Sequence, residues 1–296
     1  MSYQYKTFHI KKRIKVFMFL MNEFNITLAE AQRWIDKKRV YVNGKLLVKK
    51  SQKISGEVKV LVFVPNTKGI KPIFETKDFM VFDKPAGVLV HPRNRNCEYT
   101  MTHEIKYQYG KDANIVHRID KETSGILVAS KTKKVEADIK NLFENRLVKK
   151  GYLAFVKGKI ENDIFIDENI SKNCDFSDVK LKVSISSDGK SSQTYIKPIK
   201  YYKDRDITLI EAYPKTGRQH QIRVHMFHVK HPIVGDPIYG VSSKIAADYL
   251  DGLLSESDRI KFTGANRLML HSNFIEFEYK NRYKIFSKSD FIHLLK

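Results

Sequence analysis

The chain has 296 residues, enough for one large domain and one small domain. Its formal net charge of +21 indicates a polyanionic partner, either nucleic acid or an anionic membrane surface, unless it only reflects a lysine-rich proteome. Cys97 and Cys174 form no CxxC pair, so the sequence predicts neither a disulfide framework nor a structural zinc site.

The N-terminal stretch MSYQYKTFHIKKRIK lacks the apolar core of a signal peptide. No run of apolar residues approaches the roughly 18 that a transmembrane helix needs. We therefore expect a soluble, cytoplasmic protein without a membrane partner.

The first part of the chain, residues 1–65, is predicted to be a small basic α/β domain. Its first 60 residues hold 14 Lys and Arg against 4 Asp and Glu. The stretch TLAEAQRWIDKKR begins with a capping box, Thr27 and Glu30, and predicts a helix. VYVNGKLL, centred on Asn43-Gly44, predicts a hairpin, and EVKVLVFVP predicts a further strand.

This basic helix and hairpin resemble the small RNA-binding domain shared by certain ribosomal proteins, tyrosyl-tRNA synthetases and RNA-modifying enzymes. One departure is Lys38, where that family often has Gly. Phosphate contacts from such a domain supply affinity without sequence information. The alternative is a solvated basic helix that does not contact RNA. The resemblance implies RNA-binding side chains at Arg33, Lys37, Lys38, Arg39, Asn43 and Lys45.

Residues 66–72 are a predicted linker, and residues 73–296 a second domain. DFMVFDKPAGVLVHP, residues 78–92, predicts a strand, a turn and a second short strand. GILVAS predicts a buried strand, and residues 133–147 have the apolar spacing of a helix. GYLAFVKG, TYIKPIKYY, ITLIEAYP and LMLHSNFIEFEY predict further strands. The mixture predicts an α+β fold with a large, mostly antiparallel mixed sheet and flanking helices.

Three motifs follow one another in this second domain. They are DKPAGVLVHP, HRIDKETSGILVASKT and TGRQHQIRVHMFHVKHPIVGDPIYG. In this order, and after the basic domain, they resemble the RluA-type RNA pseudouridine synthases over essentially the whole chain. Ile119, Glu122 and Gln219 depart from the usual pattern, but none of them removes a functional group that the family needs.

The resemblance implies a pseudouridine synthase fold and the isomerisation of uridine to pseudouridine in structured RNA. Large-subunit (23S-type) ribosomal RNA is the expected substrate and transfer RNA the alternative. The implied nucleophile is Asp120, which attacks either the sugar or the base. A fixed cation keeps such a carboxylate charged in a pocket that excludes water, and the resemblance assigns this task to Arg223. QHQIRVHMFHVK predicts a helix with Arg223 in or near its first turn.

The remaining site residues also come from the resemblance. Tyr152 is implied to stack on the uracil and to help proton transfer from carbon five, although a Tyr that opens a strand is more often a core or rim residue. Arg118 is implied to enter the RNA stack vacated by the flipped nucleotide. Flipping is required because the glycosidic bond is unreachable within stacked RNA. His117, Ile222 and Leu270 complete the expected substrate-binding set.

Four histidines, His220, His225, His228 and His231, crowd into the third motif. Their spacing matches no common zinc pattern, so polar packing or phosphate contacts are expected instead of a metal site. The sequence contains neither nucleotide-binding glycine motif, GxxxxGK[ST] or GxGxxG. Because an internal rearrangement needs no outside reactant, we expect no cofactor, and we expect a monomer whose partner is RNA.

Two other classes of protein stay open. The first is an RNA-binding assembly factor that keeps the fold without catalysis, a role that would not require Asp120, Tyr152 and Arg223 together. The second is a membrane-surface protein that uses KKRIKVFMFLMNEF as an amphipathic helix. The hairpin that follows favours the compact RNA-binding module over this second alternative.

Overall fold

The computed structural model describes residues 3–172 and 183–295, and Cys174 lies outside them. Two compact units are formed, Met1–Asn66 with Pro92–Tyr99, and Thr67–His91 with Thr100–Lys296. In the first unit, Arg95 donates a hydrogen bond to the Lys37 carbonyl, and the Asn66 side chain donates one to the Glu98 carbonyl at 3.0 Å. No local sequence pattern indicates that residues 92–99 belong with the basic unit.

The first unit is a four-stranded antiparallel sheet, in the order β1-β4-β2-β3, with two helices. Apolar side chains from both helices and from β4 form its core. Val16, Phe19 and Leu20 of the first helix are buried there, which argues against that helix lying on a membrane. The elements are β1 (Tyr3–Lys15), α1 (Val16–Phe24), α2 (Leu28–Asp36), β2 (Val40–Val42), β3 (Lys45–Leu46) and β4 (Lys53–Phe63).

The local predictions for this unit are confirmed. The capping box is complete, because the Thr27 hydroxyl accepts from the Glu30 amide at 3.2 Å and the Glu30 carboxylate accepts from the Thr27 amide at 3.0 Å. Asn43 and Gly44 both have positive φ, 47° and 77°, as a type I′ hairpin turn requires.

The second unit is built on one large mixed sheet. Within the described residues ten strands take part, in the order β10-β13-β14-β9-β15-β8-β6-β5, with β16 beside β15 and β7 beside β8. β15 and β8 run parallel, and the other pairs run antiparallel. The strands are β5 (Pro72–Glu75), β6 (Phe79–Lys84), β7 (Asn114–Ile115), β8 (Ser124–Ser130), β9 (Lys149–Lys157), β10 (Ile164–Asp167), β13 (Gln193–Tyr202), β14 (Ile207–Pro214), β15 (Leu270–Tyr279) and β16 (Asn281–Phe286), while β11 (Ile170–Ser171) and β12 (Ser184–Ile185) pair separately.

Helices flank this sheet, so the predicted α+β architecture is confirmed. The predicted helix after GILVAS and the predicted helix around Arg223 are both present. No helix in the described part of the chain combines the length and the apolar character needed to cross a membrane. The helices are α3 (Met101–Tyr109), α4 (Lys133–Glu144), α5 (Gln221–His228), α6 (Ser243–Asp251) and α7 (Glu256–Thr263), with 3-10 turns at Lys203–Arg205 and Ile292–Leu295.

One local prediction is wrong: VLVHP, residues 88–92, which follows the Pro-Ala-Gly turn of DKPAGVLVHP, is not a strand. The carbonyls of Leu89 and Val90 accept hydrogen bonds from the first amides of α3, Met101 and Thr102, at 2.9 and 3.1 Å. The first amides of a helix have no partner inside the helix, so these carbonyls satisfy them. The segment therefore caps a helix and does not join the sheet.

Candidate active site

The loop between β7 and β8 carries Asp120. It leads directly into β8, whose seven residues are all buried. The Asp120 side chain keeps 27% of its surface exposed, and Arg223 Nη1 donates to its Oδ2 at 3.4 Å. His220 Nε2 lies 3.9 Å from the same oxygen. A carboxylate that is partly open to solvent and adjoins a fixed cation can act as a nucleophile.

Arg223 is itself held by a buried acid, Asp236. Arg223 Nε and Nη2 donate to Asp236 Oδ2 and Oδ1 at 2.7 and 2.8 Å, a planar two-bond geometry. Oδ1 also accepts from the amides of Ile238 and Tyr239, at 2.9 and 3.0 Å. Burial opposes the charge on Asp236, but Arg223 and these amides outweigh it and lower the pKa of Asp236.

The charge on Arg223 is equally well supported. Burial disfavours the guanidinium charge, but Asp236 and then Asp120 outweigh that penalty and raise the pKa of Arg223. Sequence reasoning missed Asp236, although it lies in the GDP of the third motif. The available signal was an acid 13 residues after Arg223 in the same motif.

Tyr152 lies near the start of β9, where it pairs with Ser272 of β15. Burial raises the pKa of Tyr152 to about 12, and the Asp120 charge adds to this, while a hydrogen bond with Ser272 opposes it. The phenol is therefore protonated at neutral pH. Its hydroxyl can act as a proton donor. It can act as a proton acceptor only if it transfers its own proton in the same step.

One cavity of about 870 Å³ brings the predicted catalytic and substrate-binding residues together. This volume falls within the range of roughly 300–1,000 Å³ typical of ligand pockets. Arg118 is exposed, whereas Ile222 and Leu270 are buried in the apolar part of the cavity wall. All seven predicted residues line it: Asp120, Tyr152, Arg223, His117, Arg118, Ile222 and Leu270.

His117 lines the cavity, but its ring is already engaged. Its Nε2 accepts from the Val128 amide at 3.0 Å, and the ring stacks on Phe143 with centroids 4.6 Å apart. Burial lowers the pKa of His117 to about 3, so the imidazole is neutral. These contacts fix the start of the Asp120 loop, and a substrate contact by His117 stays a prediction.

Two further cations, which sequence reasoning did not single out, hold the middle of this loop. Lys84 is 1% exposed and donates to the carbonyls of Pro85, Val88 and Lys121 at 2.8, 2.8 and 3.0 Å. Burial lowers the pKa of Lys84 to about 7, although Glu122 and Asp120 oppose the shift. Arg259 of α7 donates to Glu122 at 2.7 Å. The loop is therefore held at two adjacent residues, Lys121 and Glu122, directly after Asp120.

The end of the loop is fixed by Gly125 and Ser124. Gly125 has φ +101°, and a Cβ there would lie 2.2 Å from the Ser272 carbonyl oxygen, so only glycine fits. Ser124 accepts from Arg267 Nη2 at 2.5 Å and bonds to His271 Nδ1 at 2.8 Å. The Ser-Gly pair of the second motif therefore allows β8 to approach β15 closely.

The histidines of the third motif make separate polar contacts. His225 bonds to Thr194 and Ser192 at 2.9 and 3.0 Å, and His231 bonds to the Lys157 carbonyl at 2.8 Å. His220 bonds to the Tyr239 hydroxyl at 3.2 Å. Across residues 3–172 and 183–295, no group of three His, Cys, Asp or Glu side chains has the arrangement of a metal site.

The predicted RNA-binding residues of the first unit differ in their surroundings. Arg39 is partly buried, and its guanidinium lies over the rings of Tyr3 and Trp34, 5.1 and 5.5 Å from their centroids. The other four cations are exposed: Arg33, Lys37, Lys38 and Lys45.

Asn43, the sixth of these predicted residues, uses its amide to fix the hairpin. Its Oδ1 accepts from the Glu57 amide at 2.9 Å, and its Nδ2 donates to the Ser55 carbonyl at 3.2 Å. Asn43 and Arg39 therefore serve the fold of this unit. RNA contact by any of the six residues stays a prediction.

Comparison with known proteins identifies the chain's family. The family model described as RNA pseudouridylate synthase matches residues 78–228, which include Asp120, Tyr152 and Arg223. The chain belongs to this family. An uncharacterized RNA pseudouridine synthase of Helicobacter pylori strain J99 is 40% identical over 294 residues, covering 97% of this chain and 96% of the relative.

A second relative is ribosomal large subunit pseudouridine synthase D of Nitrosomonas europaea, 34% identical over 227 residues, covering 72% of this chain and 64% of the relative. The solved structure of human RNA pseudouridylate synthase domain containing 1 has the same fold, with a TM-score of 0.61 at 24% identity. It covers 79% of this chain and 89% of that one. The expected resemblance is confirmed: the protein is an RluA-type RNA pseudouridine synthase, an isomerase that acts on RNA.

Proposed function

We propose that this synthase modifies a uridine of large-subunit ribosomal RNA, with Asp120 as the nucleophile and the target nucleotide flipped into the cavity. The observation that carries the proposal is the Asp120 carboxylate, which lines the cavity and adjoins Arg223 at 3.4 Å. The substrate class is supported by the ribosomal large subunit synthases among the relatives.

The cavity residues divide the work of the reaction. Asp120 forms a bond to the sugar or to the base while the bond between the sugar and nitrogen one of uracil breaks. The base turns, carbon five joins the sugar, and Asp120 leaves as a carboxylate again. Arg223 keeps its full charge throughout because Asp236 holds it, so Asp120 is stabilised as an anion at the start and at the end.

Tyr152 has two tasks in this scheme. Its ring stacks on the uracil against the apolar wall that contains Ile222 and Leu270. Carbon five must lose a proton and nitrogen one must gain one, so no net proton leaves the base. A protonated phenol can give its proton to the nitrogen and take the proton from carbon five, which balances the exchange.

Arg118 and the first unit deal with the rest of the RNA. Unstacking a nucleotide costs about a few kcal/mol, and the exposed Arg118 at the cavity is suited to fill the vacated position in the stack. The exposed lysines and arginine of the basic unit would bind phosphates. This division assigns chemistry to the second unit and RNA affinity to both units.

Pseudouridine mapping tests the proposal. RNA from cells without the gene is mapped after supplying the wild-type protein, the Asp120→Asn variant or the control Asp112→Asn. Asp112 is exposed and pairs with Lys133 at 3.7 Å, so its variant makes the same chemical change away from the cavity. We expect wild type and Asp112→Asn to restore a pseudouridine in large-subunit ribosomal RNA and Asp120→Asn to restore none.

Two results would count against parts of the proposal. If Asp120→Asn restores the modification at the normal rate, Asp120 is not the nucleophile. If the restored pseudouridine lies in transfer RNA alone, the ribosomal assignment is wrong while the assignment of Asp120 stands.

A further inference from the structure

Lys150 is a cation in the cavity wall that takes no part in the reaction scheme above. It lies on β9 two residues before Tyr152, and residues two apart in a strand point to the same face of the sheet. Its ammonium donates to the Thr216 carbonyl at 3.2 Å. Among the residues that the structure describes, no carboxylate lies within ion-pair distance of it.

Two other cations of this cavity have acidic partners. Lys140 pairs with Glu136 at 2.5 Å, and Arg223 pairs with Asp236 at 2.7 Å. Lys150 has instead one neutral carbonyl, and burial lowers the pKa of its ammonium to about 8. The side chain is therefore still mostly protonated at pH 7.

A half-buried ammonium with a single acceptor is poorly compensated. An ammonium carries three N–H donors, and within the described residues one acceptor is present. Burying a charge without pairing costs free energy, which an incoming anion would recover. The wall of the cavity thus contains a position that favours negative charge.

The chain beside Lys150 leaves that position open. Thr216 supplies the carbonyl, and the next residue is Gly217, which has no side chain. A Cβ at Gly217 would lie 3.8 Å from the Lys150 nitrogen, in ordinary van der Waals contact, and glycine leaves that space beside the ammonium unfilled. Gly217 is exposed, and both residues line the cavity. A phosphate group can therefore approach the ammonium from the cavity side.

We propose that Lys150 and the Thr216–Gly217 turn form a subsite for one backbone phosphate of the RNA, next to the nucleoside that reacts at Asp120. The assignment rests on the proposed function. Two residues of a strand span about 7 Å, so Lys150 lies about one nucleotide's reach from the base stacked on Tyr152. The subsite sets where the sugar lies by holding the phosphate attached to it.

Two matched variants, at Lys150 and at the preceding residue Lys149, test this subsite. Lys150→Met removes the cavity cation, and Lys149→Met removes the preceding cation, which is 74% exposed and pairs with Glu276 at 3.6 Å. The probe is an RNA hairpin that contains the uridine mapped as the wild-type target. We expect Lys150→Met to reduce the slope of log affinity against log salt concentration by about 0.7, the value for one phosphate contact to a single strand, and Lys149→Met to change it far less.

Single methylphosphonate substitutions locate the phosphate. Neutralising one phosphate near the target uridine should weaken wild-type binding about tenfold or more, and the same substitution should not weaken binding by Lys150→Met further. Lys150→Arg keeps the charge and should retain the sensitivity to that position. If Lys150→Met fails to fold, the wild-type and Lys150→Arg scans still decide the question.

The proposal is overturned if no single phosphate near the uridine matters to the wild type, or if Lys150→Met and Lys149→Met give the same slope. Failure of the proposed function is distinct from this, because it means that wild-type protein forms no pseudouridine in the mapping assay. Binding slopes and the methylphosphonate scan do not depend on turnover, so each result can be assigned to one of the two proposals.

Discussion

The Arg223 guanidinium binds the Asp236 carboxylate through two hydrogen bonds of 2.7 and 2.8 Å, and the two side chains are 2% and 0% exposed. This pairing leaves one guanidinium nitrogen, Nη1, for Asp120 at the longer distance of 3.4 Å. The buried acid therefore fixes the position of the cation, and the partly exposed acid remains available for chemistry.

Replacing the buried acid, Asp236→Asn, should damage both stability and catalysis. Removing one partner of this buried pair costs about 3–5 kcal/mol of unfolding free energy. Asp120, at 3.4 Å, is then the acid that remains beside Arg223, and a guanidinium no longer fixed by Asp236 is expected to turn onto it. Urea unfolding and the rate of pseudouridine formation measure the two effects. Asp163→Asn, an exposed acid that pairs with the Tyr195 hydroxyl, is the control. Equal stability and rate in the two variants would contradict this role of Asp236.

The pairing of Asp120 with Arg223, 103 residues apart, could be predicted from the sequence because the family motifs carry both residues. The pairing of Arg223 with Asp236 was missed although both lie in the third motif, since an acid between Gly and Pro has the appearance of a solvated turn residue. The contact of Arg259 with Glu122 spans 137 residues and involves no motif at the arginine. Local patterns contain no information on such long-range contacts.

The same distinction applies to the secondary structure. The hairpin at Asn43-Gly44 and the capping box at Thr27 are local signals, and both predictions are confirmed. Residues 88–90 are an apolar run, rich in β-branched valine, that favours a strand. The carbonyls of Leu89 and Val90 instead cap α3, a helix whose own N-cap, Thr100, makes no side-chain cap hydrogen bond. The first amides of α3 need hydrogen-bond acceptors, and this tertiary contact outweighs the local preference of the segment for a strand.

Tyr152→Phe should separate stacking from proton transfer. The ring remains, so RNA affinity should stay close to that of the wild type, while loss of the protonated hydroxyl should slow the reaction about 10²–10⁴-fold. Single-turnover rates and a binding isotherm give the two quantities. Tyr195→Phe, which removes the hydroxyl of a partly exposed tyrosine on β13 outside the cavity, serves as the control. A normal rate for Tyr152→Phe would show that the hydroxyl takes no part in proton transfer.

His271 should make the fold sensitive to acid. It is 1% exposed and bonds to Ser124 Oγ through Nδ1 and to Ser287 Oγ through Nε2, at 2.8 and 2.7 Å. Because Ser287 donates to Asp83, its oxygen accepts from His271 Nε2–H, and in the neutral ring Nδ1 is then the acceptor. Burial lowers the pKa of His271 to about 4, although Asp83 opposes the shift.

The sign of this pH effect follows from the lowered pKa. The unfolded chain takes up a proton at His271 near pH 6.5, and the folded chain does so only near pH 4. The contribution to stability is therefore complete above pH 6.5 and is lost as the pH falls to 4, by about 3 kcal/mol. His271→Gln should flatten the fall in unfolding free energy over this interval, and the exposed His293→Gln should not. Parallel curves for wild type and His271→Gln would refute the assignment.

The exposed lysines after α2 should contribute RNA affinity without contributing to the chemistry. Lys37 and Lys38 belong to the first unit, whose core holds neither side chain, so the double change Lys37→Glu, Lys38→Glu should leave the fold intact. RNA affinity should fall, and the salt slope should become shallower by about 0.7 for each phosphate that the protein no longer neutralises. The single-turnover rate at saturating RNA should be unchanged, because Asp120 and Arg223 lie in the other unit.

The control for net charge is the double variant Lys159→Glu, Lys203→Glu, whose two substitutions lie on the second unit outside the cavity. An equal loss of affinity in both double variants would mean that overall charge, and not this basic unit, holds the RNA.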